Sequence, residues 1–335
     1  MGNGIATDDG AAWRNGEQFA WRGHTAESGE ARHGLGGTRT ARDTRRRLQL
    51  VLGGIWLLDA VLQYQLVMFT RAFPRMLAAS APGNPAFVAD PVTWSARLID
   101  QHVVVTNALF ATIQLTLGLG IAWRPTLKIA LGASIAWSLA VWWLGEGLGM
   151  VLTGRASPVD GAPGAVILYA LLAVLLWPAA RDRPSPFAAG RAVGTVAARA
   201  LWLVLWGSLA FFALTPASRA PQAVSRTISG MASGPPGWLA WVDQHAASAL
   251  LGRGLAVAVV LAVAFIAVAA GIYLPVPGAR AALVLALVLA AALWVAQGLG
   301  GVFTGAATDP ETGPLLALLA VAYWPARTAG RPGGA

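Results

Sequence analysis

The hydrophobic part of this chain contains an internal sequence repeat, and this repeat limits the folds that the chain can adopt. Each copy places the tripeptide Asp-Gln-His, at residues 100–102 and 243–245, just before a long apolar segment. Further along, the Gly-Leu-Gly of residues 147–149 recurs at residues 298–300. Since 56% of the residues are hydrophobic and 12% are charged, the apolar runs are long enough to cross a bilayer. The sequence therefore predicts a duplicated integral membrane unit.

We predict an all-α fold, an integral membrane bundle of eight transmembrane helices. Each repeat has four crossings, an even number, so the two tandem four-helix repeats share one orientation. The long connection between the first two helices of each repeat is expected to form short interfacial helices. The predicted helices cover residues 48–70, 101–122, 127–151 and 164–178 in the first repeat, and 200–216, 246–273, 280–302 and 314–326 in the second.

The N-terminal tail, the linker between the repeats and the C-terminal tail are predicted to be cytoplasmic. Residues 1–47 have almost no aliphatic content and are expected to form a disordered tail. The first repeat then covers 48–180, a linker 181–199, the second repeat 200–326 and a C-terminal tail 327–335. Both termini face the cytoplasm because basic residues concentrate on that side, as the positive-inside rule requires. These residues are Arg124, Lys128, Arg181, Arg183, Arg191, Arg199, Arg280, Arg327 and Arg331.

Charge and cysteine content exclude several classes of function. The net charge of +9 is accounted for by basic residues in the predicted cytoplasmic segments. The sequence has no basic patch with interleaved aromatic residues in its membrane region, so a nucleic-acid partner is not expected. We expect a multi-pass protein of the plasma membrane, with the lipid bilayer around it. The chain has no cysteine, which excludes disulfide exchange, iron–sulfur ligation, covalent haem attachment and thiolate catalysis.

The repeated Asp-Gln-His contains four candidate site residues. Asp100 and Asp243 can cap the helices that follow them, or they can belong to a site. His102 and His245 are the histidines of the membrane region. They can hydrogen-bond the outer connections, or they can bind a metal ion or haem b, or transfer protons.

Four further candidates lie inside predicted helices. Asp59 is near the middle of the first helix, where Gln63, Asn107 and Gln114 could complete a polar stripe. Glu146 lies in the third helix, and its counterpart Gln297 cannot ionise. Arg253 lies in the sixth helix, so we hypothesise that it faces Asp59 and Glu146 across the pseudo-twofold axis. The neighbouring glycines are expected to let helices three and seven pack closely.

The repeated Gly-Leu-Gly, Thr-Gly, Pro and Trp-Pro pattern carries a family resemblance. Together with the Arg/Ala-rich composition and single lysine, it resembles polytopic membrane proteins of high-GC actinobacteria over most of residues 48–326. Each four-helix unit is also similar in layout to DoxX-like membrane proteins. The resemblance implies a membrane fold and no particular activity.

Three classes of function remain open. Tandem repeats of one orientation, long outer connections and intramembrane charges favour transport of a small solute or ion. A redox protein that binds haem or a metal through His102 and His245 is the first alternative. A non-catalytic scaffold or assembly factor is the second. A hydrolase is disfavoured because no serine stands with histidine and a carboxylate in a recognisable nucleophile motif, and the sequence favours a protein that is not an enzyme without deciding the question.

Overall fold

A computed structural model of the chain describes residues 1–2, 43–179, 182–231, 236–305 and 307–325. Most of the predicted N-terminal tail, the C-terminal tail and part of the linker lie outside the described residues. The chain divides into two compact units, Met1–Arg46 and Arg47–Ala335. Everything below concerns the second of these units, in which the described residues form helices and turns, with no strand.

Among the described residues, the first half of the chain, residues 47–179, contains six α-helices. Helix α1 covers residues 47–63 of this unit. Helices α2 and α3 lie in the connection that follows, where short interfacial helices are predicted. Helices α4 and α5 then form a hairpin, and α6 follows a long irregular segment. The bounds are α2 Ala72–Ala78, α3 Ala86–Gln101, α4 Val103–Ala122, α5 Leu127–Leu144 and α6 Ala165–Leu175.

The second half repeats this order after a short linking helix. One long helix is followed by a connection of short helices, a second hairpin and a final short helix. The bounds are α7 Gly190–Val193, α8 Thr195–Ala213, α9 Pro216–Arg219, α10 Ala223–Met231, α11 Gly237–Leu250, α12 Gly254–Gly271, α13 Val276–Ala296 and α14 Thr312–Ala322.

Five of the described helices are long and apolar enough to cross a membrane: α4, α5 together with the turn before it, α8, α12 and α13. Helices α6 and α14 are apolar but have only 11 residues each. The composition and these helices are those of a multi-pass membrane protein.

The two halves pack in the same order. In each half, the hairpin helices contact each other and the second of them contacts the final short helix: α4–α5–α6 and α12–α13–α14. Helix α6 also contacts α14, and the backbone N–H of Ala189 donates to the carbonyl of Ala322 at 2.9 Å. One hydrophobic core therefore runs through both halves, and it includes Trp56, Tyr169, Trp202, Trp206 and Tyr323.

Predicted helices three and seven end earlier than the sequence indicates. Helix α5 ends at Leu144 and α13 at Ala296, and a left-handed turn follows each: Gly147–Met150 and Gly298–Gly301. All eight residues of these turns have φ between 53° and 66°. The prediction that these glycines form a helix-packing face is wrong, because they form turns instead.

The segment predicted as helix six is interrupted. Helix α11 ends at Leu250 and α12 begins at Gly254, so Arg253 is the residue preceding α12 and is exposed. Asp243 lies within α11, and Asp100 lies at the end of α3. The prediction that these aspartates cap membrane helices is therefore wrong, because short helices of the connections occupy those positions.

Candidate functional site: an acidic cavity

A cavity of about 700 Å³ lies within the first half of the chain. Helices α1, α2, α4, α5 and α6 form its wall, and a loop of the second half, residues 308–311, closes it. Its lining contains five acidic residues and one basic residue, Arg155. The acidic residues are Asp59, Glu146, Asp160, Asp309 and Glu311.

Asp59 is the most enclosed of these carboxylates. It is 1% exposed, and its Oδ1 has no hydrogen-bond partner. The hydroxyl of Tyr169 on α6 is a neighbour of Asp59, but it makes no hydrogen bond of normal geometry. Gln63, one turn further along α1, donates to Asn107 Oδ1, and Asn107 Nδ2 donates to the Gln63 carbonyl at 2.9 Å. The predicted polar stripe is thus assembled in part, because Asp59 Oδ1 and Gln114 Oε1 have no partner.

Glu146 enters the cavity from the left-handed turn after α5. Its Oε1 accepts from the backbone N–H of Val166 at 3.3 Å, while its Oε2 has no partner. A Cβ at Gly164 would lie 2.1 Å from Oε2, so the glycine makes room for the carboxylate.

Asp309 and Glu311 reach the same cavity from the loop before α14. Asp309 accepts from the backbone N–H of Glu311 at 2.7 Å and from the hydroxyl of Thr308 at 3.0 Å. Two further carboxyl groups therefore join Asp59 and Glu146 in the cavity.

The exposed members of the lining mark the mouth of the cavity. They are Met76 and Ala79 on α2, and Arg155 and Asp160 in the loop after α5. The guanidinium of Arg155 donates to the carbonyl of Pro82 at 2.8 Å, and Asp160 accepts from the hydroxyl of Thr227 at 2.7 Å. The basic residue is thus engaged at the mouth, away from the inner carboxylates.

Aromatic side chains also line the cavity. Phe110 contacts Phe73 and Trp137 edge to face, with ring centroids 6.0 and 5.1 Å apart. Trp56 packs on Tyr169 at 4.3 Å. All five rings line the cavity. The site therefore combines a π-rich face with an acidic one.

The other candidates from the sequence lie elsewhere. The hypothesis that Arg253 pairs with Asp59 and Glu146 is wrong: it lies outside the cavity, and no ion pair joins it to either carboxylate. His102 and His245 are exposed and do not line the cavity, and the ring of His245 packs on Trp241 of its own helix. In the part of the chain that the structure describes, no group of three or more His, Asp or Glu side chains could hold a metal ion.

Three candidates have local roles outside the cavity. Asp100 forms an ion pair with Arg71 at 3.6 Å on the surface. Asp243 is buried in α11, with its Oδ2 unpaired. Gln297 occupies the position of Glu146 in the second half, and its Nε2 donates to Thr312 Oγ1 at 3.0 Å and to the Pro158 carbonyl at 3.2 Å.

The sequence analysis missed Asp309, Glu311 and Tyr169. The two acidic residues belong to a polar turn, which the sequence assigns to an exposed loop, and the turn is buried only because it packs into the other half of the chain. One signal was present: relative to the Pro that precedes each final helix, Glu311 stands where the first half has Gly164. Searches among protein-family models, curated proteins and solved structures found no match to this chain.

Proposed function

We propose that the protein is a multi-pass membrane transporter of a small solute or ion, and that the acidic cavity is its substrate site. Asp59 carries the proposal. A carboxyl that is 1% exposed, with an unpaired oxygen at the wall of a cavity of about 700 Å³, needs a proton or a cation for compensation. A cavity of this size suits a small molecule.

The proposed membrane arrangement has eight spans in two tandem repeats of one orientation, in the plasma membrane with both termini cytoplasmic. The five long helices supply five spans, and α1, α6 and α14 supply the others. The shared packing order and the matching left-handed turns of the two halves support the repeat.

The short helices support transport in particular. At about 1.5 Å per residue, α6 and α14 cover roughly 17 Å of a hydrocarbon core of about 30 Å. The rest of each span consists of irregular segments, which among the described residues are 145–164, 297–305 and 307–311. Irregular backbone is tolerated at membrane depth where it is buried in protein or lines a cavity, and interrupted helices at matching positions of two repeats typically form transporter substrate sites.

The redox and scaffold alternatives gain no supporting observation. Both histidines lie outside the cavity, and His245 engages a ring and a carbonyl of its own helix. Transport therefore remains the function that the geometry supports best.

Uptake into proteoliposomes tests the proposal. Purified protein would be reconstituted and exposed to labelled Na⁺, Rb⁺, tetraphenylphosphonium or a neutral sugar. We expect one or more of these to enter faster than into protein-free liposomes, and Asp59→Asn and Glu146→Gln to abolish the difference. Asp90→Asn is the control, because Asp90 is exposed and outside the cavity. Uptake of every probe at the protein-free rate, or uptake unchanged in both cavity variants, would contradict the proposal.

A further inference from the structure

The inner part of the cavity contains carboxyl groups that no basic side chain of its lining can neutralise. Oxygen atoms of both Asp59 and Glu146 lack partners, and Asp309 and Glu311 add two more carboxyls. Arg155 is at the mouth, where its guanidinium donates to Pro82. Buried carboxylates require either protons or a positive charge from outside the chain. The charge therefore selects a cation and disfavours an anion.

The geometry disfavours a bare metal ion as that cation. Metal ions need several oxygen or nitrogen ligands within about 2 to 2.6 Å of one point. No three His, Asp or Glu side chains of the described residues come together in this way. The carboxyls instead enter from α1, from the turn after α5 and from the loop before α14, around a space of about 700 Å³. A cation of larger radius suits this spread of charge.

The aromatic wall adds a second requirement. Phe73, Phe110 and Trp137 form a continuous edge-to-face array on one side of the cavity. Aromatic faces attract organic cations, which carry weakly hydrated charge and apolar groups that fit against the rings. A ligand with a positive centre and an apolar body would satisfy both sides of the cavity at once.

We propose that the cavity binds an amphiphilic organic cation, a protonated amine or quaternary centre attached to an aromatic or alkyl body. This inference rests on the proposed function, since it names the substrate class of the same site. The body lies against Trp137 and Phe110, and the positive centre faces Asp59 and Glu146.

Equilibrium binding to the purified protein in detergent tests the inference. Labelled tetraphenylphosphonium is the probe, and labelled tetraphenylborate, which has the same shape and the opposite charge, is measured in a separate series because the two ions precipitate together. We expect saturable binding of the phosphonium, displacement by benzyltrimethylammonium but not by Na⁺ or tetramethylammonium at equal concentration, and no saturable binding of the borate. Comparable binding of the borate, or phosphonium binding that does not saturate, would overturn the inference without any variant.

Variants assign the binding to this cavity. Asp59→Asn, Glu146→Gln and Trp137→Ala should each weaken tetraphenylphosphonium binding roughly tenfold or more. Asp90→Asn should leave it unchanged. Each variant would first be checked for a monodisperse elution profile, and the borate comparison on the unmodified protein stands if one fails to fold. Unchanged affinity in all three cavity variants would overturn the inference.

The outcomes separate this inference from the proposed function. Uptake of Na⁺ or Rb⁺ that depends on Asp59, without tetraphenylphosphonium binding, would overturn the organic-cation inference and leave transport standing. Charge-selective tetraphenylphosphonium binding, without uptake of any probe, would overturn transport and leave a cation-binding membrane protein.

Discussion

Glu311 has an unusual backbone conformation, which indicates that its side chain has a role in the cavity. Its φ of 63° and ψ of −167° lie in a region that is essentially confined to glycine, and such backbone costs about 1 to 3 kcal/mol. The first half has Gly164, with φ 106°, before its final helix. A glutamate in the second half thus holds a conformation that glycine would adopt without strain. The cost of this strained backbone is explained if the carboxyl of Glu311 is needed in the cavity.

Glu311→Gly should relieve this strain. Glycine adopts the backbone of residue 311 without the cost of about 1 to 3 kcal/mol, part of which is offset by the greater freedom of glycine in the unfolded chain. We expect the melting temperature in detergent to rise.

Asp90→Asn provides the control for this measurement. Asp90 is exposed and no carboxyl of the cavity lies on its helix. Its variant should unfold with the unmodified protein. A lower melting temperature in Glu311→Gly would show that the backbone of residue 311 is not strained as described.

At this scale the sequence predicts half of the site. Asp59 and Glu146 could be selected because a charge inside an apolar run is costly and therefore informative. Asp309 and Glu311 could not, because the cost arises only when their loop packs into the other half of the chain. Arg253 was misassigned because the apolar pattern of residues 246–273 does not reveal the break before Gly254.

Among the helices and turns, the two left-handed turns are what most sets this fold apart. L-residues cost about 1 to 2 kcal/mol each in this conformation, and Leu148, Met150 and Leu299 all adopt it. The turns direct the chain so that Glu146 enters the cavity and Gln297 meets Thr312. Apolar periodicity continues through both segments, so the sequence predicts longer helices. The glycine spacing is the available signal for the turns, but the same spacing also predicts a helix-packing face.

Alanine at the two turn glycines should show that both turns are required. A Cβ at Gly149 would lie 1.9 Å from the Pro163 oxygen, and one at Gly300 would lie 2.5 Å from the Pro310 carbonyl group. Clash and backbone strain together should cost about 2 to 5 kcal/mol in each variant. Thermal unfolding in detergent would measure this as a clear drop in melting temperature.

The control is Gly207→Ala on α8, where an added Cβ meets nothing within 4 Å. There we expect no loss, and a gain of about 0.5 to 1 kcal/mol from improved helix propensity. If Gly149→Ala and Gly300→Ala unfold at the same temperature as Gly207→Ala, the turns do not have the described conformation.

In the molecule as a whole, each half contributes a loop to a cavity of the other. The loop of residues 308–311 enters the large cavity of the first half. In return, Arg155 and residues 157–160 line a smaller cavity of about 210 Å³ against α8, α9, α10 and α12 of the second half. The second half also has Leu209 three residues after Trp206, where the first has Asp59 three residues after Trp56. The acidic cavity thus lies in the first half, and the second half supplies two of its carboxyls.

This asymmetry predicts opposite outcomes for reciprocal substitutions. Gln297→Glu removes the Nε2 donor to Pro158 and Thr312 and buries a carboxyl, which should cost about 2 to 4 kcal/mol. Glu146→Gln removes an incompletely paired carboxyl and should unfold at the same or a higher temperature. Melting temperatures at pH 8 compare the two variants. Equal destabilisation would contradict the assignment of a substrate role to Glu146 and a structural one to Gln297.

The side of the membrane to which the cavity opens depends on the eight-span topology. The chain is well suited to a test of this topology because it contains no cysteine. Single cysteines need no background removal. Pro186 is exposed in the linker that we predict to be cytoplasmic, and Ser229 is exposed on α10, in a connection that we predict to lie outside.

In intact cells, a membrane-impermeant maleimide should label Ser229→Cys, and Pro186→Cys should be labelled only after permeabilisation. With α8 as a span between these positions, the mouth formed by α2 and residues 155–160 opens outward and the inner carboxyls are reached from outside. Labelling of both cysteines in intact cells would remove α8 as a span. Labelling in the reverse order would keep the eight spans and turn the cavity towards the cytoplasm, so that the organic cation would be loaded from inside the cell.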